Sequence, residues 1–98
     1  MYQPSDKGGI LTEIEEVFSS KPRLKILKLL VRLGTLNVSD IAKRISLNYT
    51  ATNKHIEILE AEGILVERTY GRIRMVRFND SAKAKATQIL IETWGQTK

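Results

Sequence analysis

The sequence has no cysteine and a single histidine, His55. Without thiols there is no disulfide framework and no thiolate metal site, and one imidazole falls short of the clustered ligands that a transition metal needs. His55 therefore reads as a hydrogen-bonded packing residue, and no metal or cofactor is expected. No apolar run approaches the roughly 20 residues that span a bilayer, so no membrane partner is expected. The start, Met1-Tyr2-Gln3-Pro4-Ser5-Asp6, has neither the basic beginning nor the apolar stretch of a signal peptide, which points to the cytoplasm. Gly8-Gly9 lacks the Gly-Lys-Ser/Thr continuation of a phosphate loop. Glu13, Glu15 and Glu16 are spaced as the solvated side of one helix, with no nucleophile or second acidic cluster beside them. An enzyme is not expected.

Positive charge is present, and it is unevenly placed. Of a net +5 over 98 residues, the first 20 residues hold one lysine and four acids, a net of −3, so the rest carries +8. A body this basic suits a polyanionic partner, because Lys and Arg displace counterions condensed on phosphates.

Hydrophobic periodicity divides the chain into a polar tail over 1–8 and a single domain over 9–98. Ile10, Leu11, Ile14, Val17 and Phe18 recur at helical spacing and predict a first helix over 9–19. Ser20-Lys21-Pro22 is a start signal for a second, strongly apolar helix that Gly34 ends. Asn37-Val38-Ser39-Asp40 opens a short helix over 38–45, and Asn48 caps another over 49–62 that Gly63 stops. Residues 64–69 and 73–78 are β-branched and partly alternating around Tyr70-Gly71, a β-hairpin pattern. Asn79-Asp80-Ser81 then precedes a last helix over 80–94. The expected order is α-α-α-α-β-β-α: mainly helical with a hairpin, a winged helix-turn-helix.

Two helices joined by a tight turn and followed by a basic hairpin form a device for the DNA major groove. Tyr49, Thr50, Asn53 and Lys54 point away from the apolar side of the 49–62 helix, and no acid precedes Glu57. Asn and Lys can read base edges, whereas Tyr and Thr can hold phosphates or a thymine methyl. The hairpin carries Arg68, Arg72, Arg74 and Arg77 against one acid, Glu67, with Arg72 at the tip. An arginine there can reach phosphates or a narrow minor groove. Arg68, Arg72 and Arg74 complete the candidate DNA contacts, although strand alternation leaves the side of Arg74 open.

The stretch from Phe18 to Phe78 resembles the winged-helix regulators of the ArsR type. The matching segments are Pro22 to Leu30, Val38-Ser39-Asp40-Ile41-Ala42, Leu47 to Ile56, Leu59, Gly63-Ile64-Leu65 and Gly71-Arg72. The more distant MarR type shares the architecture. The resemblance implies a dimeric regulator of transcription, with helix 49–62 in the major groove, the 64–78 hairpin as wing and the terminal helices as the dimer contact. Ile10, Leu11, Ile14 and Phe18 of the first helix and Ala86, Ile89, Leu90 and Trp94 of the last are the candidate interface. Metal-sensing members place cysteines near the Val38-Ser39-Asp40 segment, or His and acids on a terminal helix. This chain has Ser39 and no cysteine, so the sensing function is not carried over. A duplex-binding regulator of this kind is expected at the nucleoid. The alternatives are a non-specific architectural DNA-binding protein, or a winged-helix interaction module without DNA contact. Specificity over random duplex separates the first from a regulator, and salt dependence separates the second.

Overall fold

The computed structural model describes residues 13–96. The expected 1–8 tail, and residues 9–12 of the expected first helix with Ile10 and Leu11, lie outside them. The described part of that helix is α1 (Ile14–Phe18). It leads into α2 (Lys21–Leu33), which Ser20 caps by accepting the Arg23 N–H at 3.3 Å, with Pro22 in the first turn where a missing N–H costs nothing. Such a cap contributes about 1 kcal/mol.

A two-residue strand, β1 (Leu36–Asn37), follows and corrects the expected order, which had no strand there. Two residues cannot display an alternating pattern, and what makes them a strand is distant pairing: Leu36 with Val76 and Asn37 with Met75. Asn37 also caps α3 (Val38–Ile45), its Oδ1 accepting from the Asp40 N–H at 2.7 Å. Ser46 turns the chain at a left-handed φ of 58°, and Asn48 caps α4 (Tyr49–Ala61) through the Ala51 N–H at 2.8 Å.

The hairpin strands are β2 (Leu65–Tyr70) and β3 (Ile73–Phe78). β2 lies one residue later than expected, because the Gly71-Arg72 turn lets Tyr70 pair with Ile73. Gly71 takes a φ of 63°, as the first central position of such a two-residue turn requires. The antiparallel sheet runs β1-β3-β2.

The last helix, α5 (Ala82–Gln96), starts two residues late. Ser81 is its first-turn partner, its Oγ accepting from the Ala84 N–H. Gly95 stays within the helix, since its φ is not positive and nothing there turns the chain.

The core lies where α2, α3 and α4 meet the root of the wing: Ile26, Leu27, Ile41, Ile56, Leu59 and Val76 are all sealed from solvent. Each such burial contributes roughly 1.5–3 kcal/mol. α5 enters this core through the small residue Ala84, with Thr87 buried beside it, and is tied to the end of α4 by Lys83 Nζ on Glu62 Oε1 at 3.0 Å. No helix among the described residues is long and apolar enough to cross a membrane.

Candidate nucleic-acid interface

α4 buries Thr52, Ile56 and Leu59, spaced at three and four residues. That stripe decides which side chains are left outside. Thr50 and Lys54 stand exposed on the opposite side, and Tyr49 is exposed at the first residue of the helix. Asn53 is half-buried on the flank and donates from Nδ2 to Glu57 Oε2 at 3.1 Å. His55 packs inward: its Nδ1 lies 3.0 Å from Arg23 Nη1.

Arg72 stands exposed on the wing turn, as the sequence suggests. A groove of about 190 Å³ lies between this turn and the helices, lined by Asn37, Val38, Ser39, Tyr49, Arg72, Ile73 and Arg74. It brings the start of α3, the start of α4 and the wing to one place. Arg72 and Tyr49 thus share a surface, although 23 residues separate them in sequence.

The remaining hairpin arginines divide by strand alternation. Arg68 pairs across the sheet with Met75, and Val66 with Arg77, on the face turned away from α4. Arg68 is exposed there and borders a second cleft with Thr35, Tyr70, Met75 and Arg77. Arg74 is on the inner face and half-buried. Its Nε and Nη2 donate to Glu67 Oε2 and Oε1 at 2.9 and 2.8 Å, and its Nη1 donates to Tyr49 Oη at 3.0 Å. This fork keeps Arg74 firmly protonated and holds the Glu67 carboxyl below its ordinary value. Glu60, half-buried on the last turns of α4, is pushed up to about 7, by burial first and then by Glu67 beside it.

The apolar residues of the terminal helices gather on another side. A groove of about 300 Å³ runs between α1 and α5, lined mainly by Ile14, Val17, Phe18, Ile64, Ala86 and Leu90. Ile14 is 69% exposed, Ile89 61%, Leu90 51% and Trp94 73%. Phe18 is half-buried against the core and Ala86 is exposed.

No group of three or more metal-ligating side chains forms among the described residues. Sequence reading missed Glu60 and the Glu67–Arg74–Tyr49 chain of contacts. The acids looked like solvated ends, and only the folded hairpin brings Glu67 against α4.

Two helices joined by a tight turn, with a hairpin after them, make a winged helix-turn-helix fold, and residues 20–66 match the family described as winged helix-turn-helix DNA-binding. The chain is 27% identical over 82 residues to the arsenical resistance operon repressor of Escherichia coli K12, across 84% of this chain and 70% of that protein. It is 29% identical over 69 residues to the HTH-type transcriptional regulator YdgJ of Bacillus subtilis, across 67% of this chain and 42% of that one. Among solved structures, HlyU of Vibrio cholerae shares the fold at a TM-score of 0.71 and 23% identity, covering 81% of this chain and 84% of its own. The homodimeric winged helix-turn-helix DNA-binding domain Mb0332 of Mycobacterium bovis does so at 0.69 and 22%, covering 83% and 73%. The ArsR-type resemblance read from the sequence therefore stands.

Proposed function

We propose that the protein is a homodimeric, sequence-preferring regulator that binds duplex DNA, with α4 in the major groove and the wing on the backbone or minor groove. The observation that carries this reading is the shared surface of α4 and the wing tip. Thr50, Lys54 and Tyr49 lie on the first two turns of α4, free of acid before Glu57, and Arg72 borders the same groove as Tyr49. Lys54 and Asn53 read bases, Thr50 and Tyr49 hold backbone or a thymine methyl, and Arg72 and Arg68 meet phosphates. A protein with this task works in the cytoplasm, at the nucleoid.

The groove between α1 and α5 is the proposed contact with a second copy. Ile14 and Leu90 line it and are more than half exposed, Ile89 and Trp94 are exposed on the same helix as Leu90, and a two-fold partner would cover such residues. The homodimeric state of the Mb0332 domain supports this. Such a pair would set two α4 helices about one helical turn of DNA apart, roughly 34 Å.

Selection of bound duplexes from a random pool tests the reading. The expected product is a near-palindrome with half-sites one turn apart. Lys54→Ala should relax its sequence, at about 1–3 kcal/mol for each base interaction removed. Arg72→Ala should weaken every duplex alike. A pool that emerges unenriched would leave a non-specific binder instead.

A further inference from the structure

Arg74 carries an inference that rests on the DNA-binding reading. β1 supports β3 only at Val76 and Met75, so from Arg74 outwards the hairpin has no third strand beside it. Arg74 is the first residue past that support, and there it reaches back to the helices. Its fork on Glu67 spans the two wing strands, and its third donor holds the phenol of Tyr49 on the first turn of α4. Glu67 in turn lies against Glu60 near the end of the same helix. A guanidinium that spends three donors in fixed directions is set in position as well as charge-neutralised, which is what a brace needs and a phosphate contact does not.

We propose that Arg74 is a positioning residue: acting through Glu67 and Tyr49, it braces the outer wing against the start of α4, and so sets where Arg72 stands relative to Lys54 without touching DNA.

A phosphate-binding arginine and a brace differ in their salt dependence. Removing a side chain that itself neutralises one phosphate flattens the log–log dependence of affinity on salt by about 0.9 whether or not Arg72 is present, whereas removing a brace that acts through Arg72 flattens it no further once Arg72 is gone. They differ also toward lysine, which keeps the charge but cannot fork. The experiment measures duplex affinity against salt for the full chain and for Arg74→Met, Arg74→Lys, Arg72→Ala and the Arg72→Ala/Arg74→Met double variant, with circular dichroism and melting of each. The expected result is a loss of about tenfold for both Arg74 variants, the effect of one strong charged hydrogen bond, and no further flattening of the slope when Arg74→Met is added to Arg72→Ala. Arg72→Ala should flatten the slope. The inference is overturned if Arg74→Lys binds as the unaltered protein does, or if Arg74→Met flattens the slope by about a further 0.9 in the Arg72→Ala background. Should Arg74→Met not fold, Arg74→Lys decides alone. Binding by the unaltered protein that ignores salt would remove the DNA reading itself, and this inference with it.

Discussion

Arg23 shows how one side chain can tie three elements. It donates from Nη2 to the Glu16 carbonyl at 2.6 Å and from Nε to the Val17 carbonyl at 3.0 Å, and so satisfies the end of α1. Nη1 meets His55 Nδ1 on α4. A guanidinium has donors only, so Nδ1 must accept and the ring stays neutral with its proton on Nε2. Burial, and then the charge of Arg23, lower the His55 pKa below 6.5. A histidine depressed in this way stabilises the fold fully above its unfolded value, and that contribution is lost as pH falls through the lowered folded value. Denaturant midpoints of the unaltered protein and His55→Gln, taken from pH 8 to pH 5, should diverge. The glutamine variant, which still accepts from Arg23 and cannot protonate, should hold its stability better below about pH 6.5. Curves that stay parallel would show that His55 does not titrate against the fold.

At the scale of elements, the joint between α4 and the wing titrates in the opposite sense. The raised Glu60 carboxyl stabilises the fold fully below its ordinary value of 4.5 and loses that contribution as pH rises through about 7. The ionised form would stand beside Glu67 and Glu57, with Arg74 alone opposing. Glu60→Gln, neutral at every pH, should therefore gain stability relative to the unaltered protein between pH 5 and pH 8, read from the same midpoints. A constant difference across that range would contradict the shift. None of this joint was legible in the sequence, because Glu60 and Glu67 meet through tertiary packing and a strand pattern does not reveal partners. The helices themselves were legible, since Asn48 and Ser20 cap where capping side chains should stand and Ile56 and Leu59 recur at helical spacing. β1 was too short to have a period. On α5 the large apolar residues stand out in the sequence as Ile89, Leu90 and Trp94, whereas the buried ones are the small Ala84 and Thr87, whose hydrophobic signal is weak, with Ile91 packed against the core beside them.

For the whole molecule, the exposed residues of α5 bear on the proposed second copy. Ala84 and Thr87, with Ile91 half-buried against the core, close the domain's own side of α5, whereas Ile89, Leu90 and Trp94 are exposed and Leu90 shares a groove with Ile14. Leaving them in water forgoes roughly 1.5–3 kcal/mol for each large aliphatic side chain. Light scattering should give twice the 11.1 kDa chain mass, and replacing Ile89 and Leu90 by Asp should give monomers that bind DNA more weakly. An unaltered protein that is monomeric at micromolar concentration would contradict the dimer and leave the winged helix intact. The charge of +8 beyond residue 20 belongs to the same scale, because it would draw the whole basic body to a polyanion such as the proposed duplex. The most direct measurement of DNA binding is the affinity for duplex DNA across a series of salt concentrations. A fall that is linear on logarithmic axes, with a slope near −0.9 for each phosphate neutralised, is the expected result. An affinity that does not change with salt would contradict it.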